Sequence, residues 1–143
     1  MVGFLIAILS GVCMSIQGVF NTGVTKVSGI WAASAFVQAL ALGTCLVAWG
    51  IWEREPLWNV FRVEPKYMLL GGAIGAVITY TVIKSMEAMG PARAVMVIVV
   101  SQITMAYLIE VFGWWNVEKQ PFSWLKFFGI LLAVSGVLCT KFS

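Results

Sequence analysis

The chain has 143 residues, of which 61% are hydrophobic and only 10% charged. A soluble domain carries roughly 25% charged residues, and a core this small cannot hide so much apolar surface. That excludes a disordered chain and a disulfide scaffold, argues against a water-soluble enzyme, and leaves an integral membrane protein, read here as one transmembrane domain. The net charge of +3 is no nucleic-acid signal, because the nine Lys and Arg stand singly or in small groups between long apolar runs. There is no histidine, which removes imidazole chemistry and His-based metal sites. Cys13, Cys45 and Cys139 lie far apart inside apolar runs without a CxxC spacing, and read as small packing residues. Neither a metal nor a cofactor is expected.

Met1 to Thr25 contains no charged side chain, and neither does the 26-residue run Val27 to Trp52. A helix needs about 20 apolar residues to cross a hydrocarbon core of about 30 Å, so both runs qualify. Tyr67–Ile83, Ala94–Ile109 and Phe127–Thr140 are also charge-free but shorter. They reach spanning length when the flanking Lys66, Lys84, Arg93, Lys126 and Lys141 snorkel to the interface. The pattern predicts an all-α protein with five transmembrane helices, at about 2–22, 30–52, 67–88, 93–113 and 122–141. The breaks carry turn residues: Ser28-Gly29, a linker Glu53–Lys66 with Pro56 and Pro65, Gly90-Pro91, and Asn116–Pro121. Glu53, Arg54, Glu55, Arg62 and Glu64 in the first linker read as a solvated loop. Trp31, Trp49, Trp52, Trp58, Tyr67, Trp114, Trp115 and Trp124 fall near predicted span ends, as an aromatic belt does. Strands of a membrane barrel would alternate polar and apolar residues, which these runs do not. The first run lacks a basic n-region and an A-x-A-like cleavage site, so it reads as a span rather than a cleaved signal peptide.

Five spans place the ends of the chain on opposite sides of the membrane. The side of the first residue then carries Arg54, Arg62, Lys66, Lys119 and Lys126, and the other side Lys26, Lys84, Arg93 and Lys141. Orientation follows the difference between such counts, and here the difference is one. Two readings stay open: a fixed orientation, or dual topology in which copies insert both ways and pair antiparallel. The second reading produces an inverted two-fold axis of the kind alternating-access transporters build from internal repeats. Gly71 and Gly75 form a GxxxG in the third helix, and Gly129, Ala133 and Gly136 run along the fifth; both sets permit close helix approach, within a protomer or between protomers.

The stretch from Met89, MGPARAVMVIVVSQITMAYLIEVFGWWNVEKQPFSWLKFFGILLAVSGVLCT, resembles the second half of the EamA-type repeat of the drug/metabolite transporter superfamily. The matching features are the small-residue helix start Pro91-Ala92, the glutamate Glu118 after the fourth helix, and the closing helix Gly129–Val137. The last piece is also similar to the dimerising final helix of the small multidrug resistance family. GVCMSIQGVFNTGV near the start is similar to the first helix of the single-repeat YdcZ-type branch, in which a Gln and an Asn sit one turn apart, here Gln17 and Asn21. The resemblance implies a five-helix half-transporter, a half-repeat of the drug/metabolite transporter type. It would work as a dimer in the bacterial inner membrane, with helices one to four lining the pathway and helix five pairing. Small multidrug pumps exchange protons through a glutamate in their first helix; no acidic residue stands in the first helix here.

Ser10, Cys13, Met14, Gln17 and Asn21 recur at helical spacing on one stripe of the first helix. Polar side chains within a span are costly unless they face protein or water, so the stripe either lines a substrate pathway or glues helices together. Ser34, Gln38 and Cys45 share a face of the second helix, and Gln102 with Ser101 sits mid-span in the fourth. Gln17, Gln38 and Gln102 are expected to converge on one polar site, with Ser10, Asn21 and Ser34 along the same pathway; a packing network is the alternative. Glu110 follows sixteen uncharged residues. It is either a buried carboxylate that trades a proton or sodium ion for substrate, or an interfacial group facing headgroup water. Glu87 lies three residues after Lys84 on one helix face, so the two read as a partly solvated pair at the helix end, with Glu87 as the second candidate for ion coupling. No Walker loop, nucleotide fingerprint or activated nucleophile is present, so no enzyme is expected.

The reading is a secondary transporter of a small metabolite or amphipathic organic solute, acting by alternating access as an antiparallel homodimer in lipid. The competing readings are a half-transporter that needs an oppositely oriented paralogue, and a non-transporting accessory membrane subunit.

Overall fold

The computed structural model describes residues 2–141. Its principal helices are α1 (Val2–Ser28), α2 (Ile30–Trp52), α3 (Gly71–Met89), α4 (Pro91–Phe112) and α5 (Trp124–Lys141). Short 3₁₀ turns occupy Leu57–Arg62, Lys66–Leu70 and Trp114–Asn116. No strand occurs among the described residues. Four of the described helical stretches are long and apolar enough to cross a membrane, the third counted from Lys66; α5 is apolar and shorter. Little of any span is buried inside the chain, so most of each helix surface is left for lipid or for another protein. The protein is an all-α membrane protein, with five principal helices among the described residues.

The helix ends follow local chemistry. α1 runs past the expected end at residue 22 because nothing breaks it before Gly29, and Lys26 in its last turn complements the helix dipole. Gly29 holds φ 80 and ψ 158, a conformation essentially restricted to glycine, so the chain reverses over a single residue. Gly90 repeats that geometry with φ 82 and ψ 159 ahead of α4, where Pro91 takes the first helical position and gives up no needed N–H. α4 ends at Gly113 in the left-handed conformation, whose N–H returns to the Ile109 carbonyl at 2.8 Å. α5 begins two residues later than expected because Ser123 caps it: its hydroxyl accepts from the Lys126 N–H at 3.4 Å. At the end of α2, the Arg54 guanidinium donates to the Gly50 carbonyl, and the Trp49 indole donates to the Glu55 carbonyl, each at 2.8 Å.

Hydroxyls within the spans are mostly satisfied by their own helix. Ser15, Thr22, Thr25, Thr44, Ser101 and Ser135 each donate to the carbonyl four residues back. This removes the penalty of a bare hydroxyl in hydrocarbon.

The chain divides into two units, Met1–Ala88 and Met89–Ser143. In the first, α1 packs along α2, and α3 reaches both. Met86 of α3 lies against Gly18 of α1, Trp31 of α2 stacks on Tyr80 of α3 with ring centroids 4.9 Å apart, and Gly75 of α3 lies beside Gln38 of α2. In the second, α5 packs on α4. The phenol of Tyr107 donates to the Ser123 carbonyl at 3.1 Å and accepts from the Ser123 N–H at 2.9 Å. Phe122, Trp124, Phe127 and Phe128 form an aromatic cluster around that junction.

The first linker is less polar than its charges suggest. The turn Leu57–Arg62 exposes Leu57, Trp58, Val60 and Phe61, with Trp58 stacked on Phe61 at 6.1 Å. Such a segment suits the boundary between headgroups and hydrocarbon rather than open water.

Candidate functional site

The polar stripe of α1 divides on folding. Cys13, Gln17 and Asn21 border a groove of about 420 Å³ along α1 and α2, whose walls are Ile16, Phe20, Val24, Phe36, Val37 and Leu40. Ser10 and Met14 are exposed outside that groove. Asn21 is buried while Gln17 is exposed. On α2, Ser34 is buried and its hydroxyl has no hydrogen-bond partner, in contrast to the self-satisfied hydroxyls elsewhere. Gln38 is half-buried and turns to α3: a methyl group built on Gly75 would stand 3.7 Å from its Nε2. Gln17 and Gln38 therefore approach different neighbours. Gln102 belongs to α4 in the second unit and is exposed there, as is Ser101.

Both candidate acids are held by lysines. Glu87 accepts from Lys84 at 3.1 Å within one turn of α3. Glu110 accepts from Lys126 at 2.7 Å, which ties the last turn of α4 to the first turn of α5. The side chains of Glu110 and Lys126 are 40% and 54% exposed, so the pair reaches solvent or headgroups rather than lying sealed in the span. The Glu110 carbonyl also accepts from the Gln120 N–H at 2.9 Å. Among the described residues no group of three or more His, Cys, Asp or Glu is placed to hold a metal ion.

On α5, Gly129 and Gly136 are exposed, and a methyl group built on either meets nothing within 4 Å. Ala133 is half-buried and, with Gly136, borders a groove along Val95, Met96, Val99 and Val100 of α4. Gly75 of the α3 GxxxG is used inside the chain, against Gln38, whereas Gly71 faces open space.

Tyr107 and Ser123 are structural residues that spacing did not reveal. Ser123 had a local signal, a serine directly ahead of an apolar helix. Tyr107 had none, since its partner lies sixteen residues away across a turn. The walls of the α1–α2 groove, Phe20 and Phe36 above all, were likewise indistinguishable from lipid-facing residues in the sequence.

No curated protein and no solved structure matches the chain significantly. A family model does: the one described as "Putative inner membrane exporter, YdcZ" matches residues 2–139. With five apolar helices and a match over nearly its whole length, the chain is an inner-membrane transport protein and belongs to the YdcZ family of the drug/metabolite transporter type.

Proposed function

We propose that the protein exports a small amphipathic solute by alternating access, as an antiparallel homodimer of oppositely inserted copies. The observation that carries this reading is the exposure of Gln17 on α1 and Gln102 on α4, both mid-span. An amide facing hydrocarbon has nothing to bond to, at a cost of a few kcal/mol. A second protomer, or a water-filled path between two protomers, removes that cost. The balance of five Lys and Arg on one side against four on the other supplies no force for a single orientation.

In this reading Gln17, Asn21 and Gln102 line the pathway, with Ser10, Ser34 and Gln38 supporting it. Ser34 brings an unpartnered buried hydroxyl, free to bond once a neighbour shifts. The pairing surface is α5 at Ala133 and Gly136, where the open face of Gly136 lets a second backbone approach. Proton or sodium coupling, if the cycle uses it, runs through Glu110 or Glu87, and the ion must then compete with the lysine that each acid already holds.

The experiment is a topology measurement. Cys13, Cys45 and Cys139 are replaced by alanine, Asn59→Cys is placed in the α2–α3 linker, and intact cells are labelled with an impermeant thiol reagent before and after permeabilisation. Dual insertion predicts that about half of the protein is labelled from outside, the share expected when neither orientation is favoured. All-or-none labelling excludes the homodimer of inverted copies and turns the search to a partner of opposite orientation.

A further inference from the structure

We propose that the α4–α5 unit carries a binding site for a zwitterionic phospholipid with a primary ammonium headgroup, of the phosphatidylethanolamine class. The Glu110–Lys126 pair holds the headgroup, and one acyl chain lies in the groove beside it. That groove has a volume of about 400 Å³ and is lined by Ile103, Ala106, Tyr107, Gly129 and Ile130, with Glu110 and Lys126 at one end. Ile103 lies seven residues before Glu110 on α4, so the apolar walls extend about 10 Å from the charged end at 1.5 Å per residue. At Gly129 the wall is open, since a methyl group there would meet no atom within 4 Å.

The depth of the two ends matches a lipid. Glu110 stands in the last turn of α4 and Lys126 in the first turn of α5, within a few residues along the chain of Trp114, Trp115 and Trp124, the residue type that marks the headgroup boundary. The apolar groove leads away from that boundary into the span. The charge also matches. One carboxylate and one ammonium lie 2.7 Å apart, each about half exposed, so each has bonding capacity facing outward. Glu110 has a second carboxylate oxygen for a lipid ammonium, and Lys126 has further N–H donors for a lipid phosphate. A choline headgroup has no N–H to give Glu110, and a headgroup with only negative charge would set its phosphate against that carboxylate. On α5 the groove uses Lys126, Gly129 and Ile130, and the proposed helix pairing uses Ala133 and Gly136 further along the helix.

The test uses the full chain purified in detergent and titrated with phosphatidylethanolamine, phosphatidylcholine and phosphatidylglycerol of identical acyl chains, with bound lipids counted by native mass spectrometry. The wild-type chain should retain phosphatidylethanolamine about tenfold better than phosphatidylcholine, the ratio one charge-assisted hydrogen bond supplies. The double variant Glu110→Gln/Lys126→Gln should bind the two equally, and Gly129→Leu, which fills the groove, should bind both weakly. Equal retention of the ethanolamine and choline lipids by the wild type overturns the proposal, as does a preference for phosphatidylglycerol. These outcomes need no variant to fold. A Gly129→Leu chain that keeps wild-type retention would overturn the placement of the acyl chain.

Discussion

Met86 of α3 fills the space that a side chain at Gly18 of α1 would occupy: a methyl group built on Gly18 would stand 2.9 Å from its sulfur and 3.4 Å from Val82 Cγ1. The contact is extended by Thr22, whose hydroxyl lies 3.8 Å from the same sulfur while it donates to the Gly18 carbonyl. Sulfur is an adaptable neighbour, because the methionine side chain has three rotatable bonds. Gly18→Ala should therefore be nearly neutral, its gain in helix propensity of about 1 kcal/mol offsetting a shifted Met86. Gly18→Leu, which no rotation of Met86 accommodates, should cost about 1–3 kcal/mol or more. Met86→Ala should recover part of that loss in the double variant. Unfolding of the detergent-solubilised protein in a denaturing detergent series reads all three, and equal stability of Gly18→Leu and wild type would contradict the packing.

Tyr107→Phe removes a phenol that closes two hydrogen bonds on the backbone of Ser123 and leaves the ring against Phe122 at 5.9 Å. At about 0.5–1.5 kcal/mol for each bond, the loss should be about 1–3 kcal/mol and should loosen the start of α5. Hydrogen exchange of the Ser123 amide is the direct readout, and it should accelerate in the variant while amides in the middle of α4 stay unchanged.

Gly29 and Gly90 adopt nearly the same positive-φ conformation at two separate helix junctions. Alanine at either position should cost about 1–3 kcal/mol, because an L side chain is strained there whatever space surrounds it. Gly43→Ala in the middle of α2 is the contrast: a methyl group there meets nothing within 4 Å, so the variant should be neutral or up to about 1 kcal/mol more stable. Thermal unfolding of the three variants separates conformational strain from packing.

Gln17→Ala and Gln102→Ala should each abolish substrate-dependent flux in proteoliposomes while cross-linking still reports a dimer. Wild-type flux from both would remove the glutamines from the pathway and leave them as helix glue.

Glu110→Gln should lower stability by no more than about 1 kcal/mol, since both members of its ion pair are substantially exposed. Its functional readout is separate. A flux whose pH dependence is unchanged in this variant assigns Glu110 to structure, whereas a flux that loses its dependence on the proton gradient assigns it to coupling.

The spans are legible in the sequence because they follow from solvent chemistry. Charge-free runs of sufficient length must be helical in lipid, and Gly29, Gly90-Pro91 and the proline-bearing linker mark where they turn. The residues near the site were legible as types, an amide or an acid out of place in an apolar run. Their partners were not. Glu110 meets Lys126 and Tyr107 meets Ser123 across sixteen residues, and Thr22 meets Met86 across sixty-four. The polar stripe of α1 is a true periodicity, yet folding buries Asn21 and leaves Gln17 exposed.

The sequence by itself determined the membrane class, the helix count and the near-absence of an orientation signal, all of which depend on local hydrophobicity and on where charges stand along the chain. Only the tertiary structure decided which face of each helix is covered. Helices such as α2 and α4 are apolar nearly all round, so the hydrophobic effect prescribes no rotation about the helix axis. That rotation is set instead by small-residue contacts such as Gly18 with Met86, and by the few polar bonds that close between helices.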